Sequence, residues 1–280
     1  MTPRVAGLAD SRPSRKRIFL TRPRVLVGGI LIAIWLCGAL LADILAPYPP
    51  LEPHYSHRLA PPDAQFLLGT DELGRDLFSR ILYGSRISLT VGVVAEGIAA
   101  SIGLCVGMLA GWFGGWIDDL LMRVAEVFFA IPALMFLIVW VTILESTPLL
   151  IFVGLGLISW AGLSRVMRAQ VLALKSMEFV IAARSIGVSQ WGIMYRHILP
   201  NAIGPVLVLI PLGIGGAILS ESILSFLGLG ITIPYPSWGS LVDTSRNYFT
   251  TAWWYAVFPG AAISLAVLGF SLLSEGLINP

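Results

Sequence analysis

Six long apolar segments alternate with polar stretches along the 280-residue chain. The apolar segments cover residues 25–46, 87–111, 120–144, 148–166, 202–220 and 252–274. As a helix, the first segment reaches about 33 Å, which is enough to cross the hydrocarbon core of a bilayer. The pattern therefore predicts an all-α, polytopic membrane protein with six transmembrane helices.

The composition supports a membrane location. Hydrophobic residues make up 56% of the chain and charged residues only 12%. A soluble domain usually carries about 25% charged residues, so lipid is the expected solvent for most of the surface. The first apolar segment is longer than the core of a signal peptide and lacks a clear A-x-A cleavage site, which favours a membrane anchor.

The basic residues are distributed unevenly among the polar stretches. The sequence divides into a basic tail over residues 1–24 and a transmembrane domain over residues 25–280. Polar loops within that domain are predicted at residues 47–86, 167–201 and 221–251. With the tail inside, thirteen basic residues lie on the inner side and five on the outer side. An excess of positive charge marks the cytoplasmic side, so both termini and the second of these loops are predicted to be cytoplasmic.

Loop 167–201 carries the pattern of two short helices. Residues 176–186 predict the first, capped by Ser176 at its start and ended by Gly187, which accepts a positive φ. Its apolar face has i, i+4 and i+7 spacing and consists of Phe179, Ala183 and Ile186.

The second short helix is predicted over residues 190–198. Ser189 can cap its start, and Pro200 is expected to stop it before the fifth apolar segment begins. Periodicity leaves two interpretations of the whole loop open. It is either an amphipathic segment that lies on lipid headgroups, held by its arginines, or a surface that another protein holds.

Three glutamates occur in or beside apolar segments, where charged side chains are costly and often functional, and all three are candidates for lining a transport path. Glu96 has no obvious local partner, so it lines a path, contacts another subunit, or is a protonated or snorkelling carboxyl. Glu126 follows Arg123 by three residues, which favours a local ion pair. Glu221 lies at the outer end of the fifth segment, where it is expected to face water.

Two further groups of residues belong to the outer loops. Asp71, Glu72 and Asp76 in the run TDELGRD would suit metal binding or general acid–base chemistry, but a solvated loop that docks another protein is favoured. Five aromatic residues near the sixth segment predict a belt at the membrane interface: Trp238, Tyr248, Trp253, Trp254 and Tyr255.

Motifs for catalysis and metal binding are missing from the sequence. Lys175-Ser176 is the only Lys-Ser pair, and it lacks the glycines of a phosphate-binding P-loop. The motifs GxSxG and HExxH are absent, and Cys37 and Cys105 stand alone without a Cys/His cluster. The sequence therefore predicts no catalytic residue, no bound cofactor and no metal, and any energy from ATP would come from a partner protein.

Residues 181–200 resemble the EAA loop of ABC importer permeases, whose signature is Glu-Ala-Ala-x3-Gly-x9-Ile-x-Leu-Pro. The chain matches this signature at Ala182, Ala183, Gly187, Leu199 and Pro200. Ile181 and His197 stand where the signature has Glu and Ile. The ending His-Ile-Leu-Pro-Asn is similar to the dipeptide, oligopeptide and nickel branch, and residues 67–89 and 220–242 resemble outer segments of its C-type subunits.

The resemblance implies the fold and the partners of an import machine. This chain would form half of a translocation path, together with a second, B-type permease. Two cytoplasmic ATPase subunits would hold ATP and Mg²⁺, and an extracytoplasmic binding protein would deliver substrate. A multi-pass protein of the bacterial inner membrane is implied, in contact with lipid and without a nucleic-acid partner. The residues expected to couple to the ATPase are Glu178, Ala182, Ala183, Arg184, Gly187, Leu199 and Pro200.

Alternative functions stay open at this point. Peptides are the expected substrate, and nickel complexes or another small solute are alternatives, because specificity in such systems resides largely in the binding protein. A homo-oligomeric channel would explain six spans and glycine-rich packing, but it would not explain the inner two-helix loop. An intramembrane hydrolase is disfavoured, since the only histidines are His54, His57 and His197 and two of them lie in an outer loop.

Overall fold

The computed structural model describes residues 22–144, 147–231 and 236–278, and the regular elements in these ranges are helices. They are α1 (Pro23–Leu40), α2 (Ala42–Leu45), α3 (Leu77–Phe113), α4 (Gly115–Ala130), α5 (Ala133–Leu144), α6 (Pro148–Lys175), α7 (Glu178–Ser185), α8 (Gln190–Ile193), α9 (Leu199–Phe226), α10 (Trp238–Ser245) and α11 (Trp253–Ile278). Met194–Ile198 forms a π-helical turn between α8 and α9, and Tyr55–His57 and Arg246–Tyr248 form 3-10 turns. Most of the predicted basic tail, residues 1–21, lies outside the described residues, as do residues 145–146 and 232–235.

The prediction of an all-α membrane protein is confirmed. Within the described ranges, five helical runs are long and apolar enough to cross a membrane, and there are six when the bent pair α4 and α5 counts as one span. The five are α1, α3, α6, α11 and the continuous run Gln190–Phe226. The chain is therefore a multi-pass membrane protein.

The third predicted span, residues 120–144, is wrong as a single continuous helix. The axes of α4 and α5 differ by 87° across a break at residues 131–132. Pro132 causes the break, because proline disfavours helical geometry in the residue before it. Ile131 accordingly takes an extended conformation, with φ −85° and ψ 122°.

Two predicted loop boundaries are wrong because helices extend beyond the apolar segments. α3 begins at Leu77, ten residues before the predicted span, and the Asp76 side chain caps it by accepting from the Ser79 amide at 2.8 Å. α6 continues to Lys175, so residues 167–175 of the predicted inner loop are helical. Apolar content marks the part of a helix that lipid surrounds, and these ends are polar.

Glycines let α3 and α6 pack closely against each other. A Cβ atom added at Gly103 would lie 2.7 Å from Leu163 Cβ, and one at Gly111 would lie 2.7 Å from Val171 Cβ. Atoms so close would overlap, so small residues at four-residue spacing permit the contact. These two helices form the centre of the molecule, and α9 packs across both.

The outer loop is fixed by a buried group of charged side chains, so the expected solvated loop at residues 71–76 is wrong. Asp71 is fully buried and accepts hydrogen bonds from Arg75 Nε at 2.6 Å and from Arg80. Glu72 accepts hydrogen bonds from Arg75 at 2.8 Å and from the Tyr255 hydroxyl. The two arginines compensate the buried acids, and the tyrosine ties the loop to α11.

Several outer aromatic residues are core residues, so the predicted interfacial belt is wrong for them. Trp238 and Tyr255 are fully buried and Trp254 is nearly so, whereas Trp253 is 56% exposed. The indole N–H of Trp238 donates to the Ile81 carbonyl at 3.0 Å. These rings join α10 and α11 to the outer end of α3.

Candidate functional site

The first inner helix is close to its prediction but starts differently. α7 spans Glu178–Ser185, and its N-cap is Met177, whose side chain makes no capping hydrogen bond. The expected cap, Ser176, is wrong, because its hydroxyl donates backward to the Ala173 carbonyl at the end of α6. Gly187 follows the helix with φ +81°, as predicted for a residue that ends it.

The predicted apolar face of α7 is wrong. Val180 and Ala183 are 0% and 5% exposed, and they pack into the core formed by the inner ends of α3 and α6. Phe179 and Ile186, predicted to share a face with Ala183, are 40% and 82% exposed. Ala183 therefore packs within the chain. It is not accessible for the contact with an ATPase that the resemblance to the EAA loop implied.

Trp112, at the inner end of α3, anchors this helix, and the sequence pattern did not identify it. Lys175 Nζ donates to the Trp112 carbonyl. The guanidinium carbon of Arg184 lies 5.5 Å from the centroid of the Trp112 ring, within the range of a cation–π interaction. The available signal was a tryptophan at the end of a predicted span, but only the fold brings the two cations to it.

A set of exposed hydrophobic residues covers the predicted inner side of this region, and we call it the inner apolar surface. It consists of Met177, Phe179, Ile181, Ile186, Trp191 and Tyr195, each at least 40% exposed. Trp191 and Tyr195 stack on each other with their ring centroids 6.3 Å apart. The exposed residues Glu178, Ala182 and Arg184 lie on the same short helix.

The second inner helix does not stop at Pro200, which corrects that prediction. Ser189 caps α8 as expected by accepting from the Gly192 amide at 3.2 Å. The chain then continues through the π-helical turn, in which the Leu199 amide donates to the Met194 carbonyl five residues earlier. Pro200 lies at the first turn of α9, where a missing N–H is tolerated. Leu199 is half-buried and Pro200 is exposed.

The Asn201 side chain explains how the backbone tolerates this turn. Its amide donates to the His197 carbonyl at 2.7 Å and so satisfies a carbonyl inside the irregular region. The helical run therefore continues from the predicted inner loop through α9 without a break. π-helical turns of this kind are frequent at functional sites.

Glu96 lines a cavity of about 500 Å³ between α3, α5, α6 and α9. Its side chain is 4% exposed, and Ser159 and Ser220 are the other polar residues of the lining. The path-lining role of Glu96 stays a prediction, and its side chain borders this space.

The other two candidate glutamates do not line this cavity. Glu126 is exposed, and it forms no ion pair with Arg123 within the described ranges, so the expected local pair is wrong. Glu221 was expected to face water, but it is fully buried and accepts hydrogen bonds from Ser225 at 2.7 Å and Ser237 at 3.1 Å. It joins the outer end of α9 to the N-cap of α10.

Comparison with known proteins agrees with this architecture. The family described as binding-protein-dependent transport system inner membrane component matches residues 103–279. The chain is 39% identical over 277 residues to the oligopeptide transport system permease protein OppC of Escherichia coli, covering 98% of this chain and 91% of that protein.

Two further relatives carry related names. The chain is 38% identical over 252 residues to the dipeptide transport system permease protein DppC of Alkalihalophilus pseudofirmus, covering 90% of this chain and 83% of the relative. It is 37% identical over 263 residues to the glutathione transport system permease protein GsiD of Pectobacterium atrosepticum, covering 93% and 87%. The chain therefore belongs to the family of inner-membrane permease components of binding-protein-dependent transport systems.

Proposed function

We propose that this chain is the C-type permease of an ABC importer for peptides and that α7 docks it onto a separate ATPase subunit. The observation that carries this proposal is the two-sided placement of α7. Val180 and Ala183 fix the helix to the membrane core, whereas Ile181 and Ile186 are exposed. Exposed apolar surface of this kind is typical of protein–protein contacts.

The rest of the assembly follows from this assignment. A second, B-type permease completes the path, two ATPase subunits bind ATP and Mg²⁺ on the cytoplasmic side, and an extracytoplasmic binding protein delivers the peptide. This chain holds no cofactor and catalyses no reaction of its own. Both termini and the inner apolar surface are cytoplasmic in the bacterial inner membrane, as the distribution of basic residues supports.

The coupling residues divide into two groups by their exposure. Glu178, Ala182 and Arg184 are exposed and contact the ATPase directly. The remaining residues of the group are those that shape or join the helix: Ala183, Gly187, Leu199 and Pro200. Ile181 replaces the acid of the family signature, so the contact at this position is apolar in this importer.

Crosslinking tests the docking surface directly. Ile186→Cys, at a site that is 82% exposed, is expected to crosslink to the ATPase in the assembled complex. Ile44→Cys is the matched control, because Ile44 is 79% exposed but lies on the predicted outer side. Crosslinks from Ile186→Cys to phospholipid alone would overturn the proposal, and so would solute conduction by the purified chain without partners.

A substitution at Gly187 tests coupling. Gly187→Leu places a side chain on a residue with φ +81°, which costs an L-residue about 1–2 kcal/mol and shifts α7 relative to α8. We expect the variant to insert and its complex to hydrolyse ATP, but with uptake lost. Gly228→Leu carries the same strain at φ +75° on the predicted outer side, in equally open surroundings. Normal uptake by well-expressed Gly187→Leu would contradict the coupling role.

Uptake by the reconstituted complex tests the substrate class. Relatives with peptide-transport names support a peptide, so labelled di- and oligopeptides are expected to enter proteoliposomes in an ATP-dependent way. Nickel uptake is the control. Nickel transport without peptide transport would overturn the substrate assignment while leaving the docking proposal intact.

A further inference from the structure

Among the described residues, no charged side chain compensates the carboxyl group of Glu96, which lies inside the membrane domain. Glu96 is 4% exposed, and it makes no hydrogen bond or ion pair in the part of the chain that the structure describes. A buried carboxylate is strongly unfavourable unless a cation or a hydrogen-bond donor reaches it. The environment of this side chain is therefore incomplete within the described residues.

The facing helix is shaped to accept the carboxylate. A Cβ atom added at Gly213 of α9 would overlap the carboxyl carbon and both carboxylate oxygens of Glu96. Any residue other than glycine would displace the acidic group, so the carboxylate lies directly against the backbone of α9. This close approach places the carboxyl group at the wall of the cavity.

Glycines also keep the cavity open. Cβ atoms added at Gly162 or Gly216 would meet no heavy atom within 4 Å. These two glycines therefore serve no packing contact within the described chain, and their effect is to widen the space beside Glu96. The volume of about 500 Å³ falls within the range of about 300–1,000 Å³ that is typical of pockets for small ligands.

We propose that this cavity is a binding subsite for the ammonium group of the transported peptide, with Glu96 as its ion-pair partner. The proposal rests on the peptide substrate proposed above. A lone carboxylate in an apolar wall selects a single positive charge, and the hydroxyls of Ser159 and Ser220 supply the remaining polar contacts.

The space favours a peptide over a cation from the second permease. A single side chain of the second permease would need only a narrow space beside Glu96. The cavity is wider than that, because Gly162 and Gly216 add no side chain to its lining, and it has room for a small solute. The described part of this chain contributes no cationic residue to the lining. The positive charge therefore arrives with the molecule that passes through.

Charge-selective labelling tests the proposal without requiring transport. In the full complex, with Cys37 and Cys105 replaced by Ala, Ser159→Cys places a reporter thiol in the cavity. We expect a cationic 2-aminoethyl methanethiosulfonate, whose primary ammonium group can donate hydrogen bonds, to react faster than an anionic sulfonate analogue. Glu96→Gln should lower this rate ratio about tenfold, because a hydrogen bond to a charged group is worth about 1.5 kcal/mol or more.

The matched control is Glu126→Gln, which neutralises an exposed glutamate outside the lining and should leave the rate ratio unchanged. An unchanged ratio in Glu96→Gln would overturn the proposal, because the carboxylate would then be neutral or screened. Equal falls in both variants would also overturn it, since the effect would come from the overall charge. The ratio needs no ATP hydrolysis, so its failure is distinct from failure of the proposed function.

Protection by peptides identifies the source of the cation. A dipeptide with a free amino terminus should slow labelling of Ser159→Cys, and its N-acetylated form should not. A cation preference that exists in the isolated chain and disappears when the second permease assembles would overturn the proposal and assign Glu96 to subunit pairing. Equal protection by both peptides, or by neither, would show that no ammonium group binds there.

A variant that fills the cavity tests independently whether the solute passes through it, and we expect this variant to fold. Gly216→Leu projects a side chain into space that is open within the described chain, and leucine favours a helix over glycine. Uptake should fall to background while insertion and assembly persist. Gly204→Leu is the control, since it lies on the same helix in open surroundings and does not line the cavity. Normal uptake by Gly216→Leu would contradict a path through this cavity.

Discussion

Replacing Asp71 should destabilise the protein far more than replacing an exposed acid of comparable geometry. Asp71 is fully buried and compensates two buried arginines, Arg75 and Arg80. Asp71→Ala leaves Arg80 without its carboxylate partner within the described residues and leaves Arg75 with Glu72 alone. Breaking a buried pair in this way costs about 3–5 kcal/mol. The carboxylate also accepts the backbone amides of Leu73 at 2.8 Å and Arg75 at 2.9 Å, which places the loss at the upper end of that range.

Asp43→Ala is the matched control. Asp43 pairs with Arg86 at 2.8 Å, but their side chains are 66% and 37% exposed, so solvent screens the interaction. Hydrogen bonds from Arg86 and Tyr83 hold the pKa of Asp43 below its ordinary value. The contribution of this pair is therefore present at neutral pH and is lost only as the pH falls through that lowered pKa.

The assay is equilibrium unfolding in mixed detergent micelles at pH 7, followed by tryptophan fluorescence. Asp71→Ala should lower the free energy of unfolding by several kcal/mol, and Asp43→Ala should change it little. A double-mutant cycle with Arg80→Ala should return a large coupling energy, because the two side chains are in direct contact. If Asp71→Ala loses no more stability than Asp43→Ala, the reasoning about buried compensation is refuted.

Three further substitutions test local contacts by the same assay or by hydrogen exchange. Gly107→Val places a Cβ atom 2.7 Å from Met167 Cβ and should lower the free energy of unfolding by about 1–3 kcal/mol. Gly97→Val is the control, because its Cβ atom meets open space. Equal losses of stability in the two variants would contradict close packing of α3 on α6. Ser189→Ala removes the side-chain cap of α8 and should lower the stability of this helix by about 0.5–2 kcal/mol. The loss should appear as faster hydrogen exchange of the α8 amides, and unchanged exchange would count against the cap. Trp238→Phe removes the indole donor to the Ile81 carbonyl, which keeps its place in the hydrogen-bond ladder of α3, and should cost about 0.5–1.5 kcal/mol. An unaltered free energy of unfolding would mean that this hydrogen bond adds no stability.

Long apolar runs predicted the membrane helices because lipid imposes a length and a polarity on any spanning segment. The polar ends of those helices could not be predicted in the same way. Residues 77–86 are helical because Asp76 caps them and outer loops cover them, and both effects depend on the folded chain. Proline was equally ambiguous, since Pro132 breaks a helix whereas Pro200, in a first turn, does not.

The sequence predicted where the short helices of the candidate site lie along the chain, but not which of their side chains are buried. The spacing around Gly187 located the turn correctly, because only a residue that accepts a positive φ fits there. Periodicity could not show which face of an eight-residue helix would be covered. Phe179 and Ile186 were predicted on the same face as Ala183, but Ala183 is buried and the other two are exposed. Likewise Glu221 is buried because Ser237, sixteen residues later, folds back onto it.

The absence of a break at Pro200 has a geometric consequence for transport. From Gln190 to Phe226 the helical run contains 37 residues, which is about 55 Å at about 1.5 Å per residue. Tilting a rod of that length by about 10° around its inner end carries the outer end sideways by roughly 10 Å. A small rotation at the predicted cytoplasmic end would thereby become a displacement at the other end that is wide enough to admit a solute.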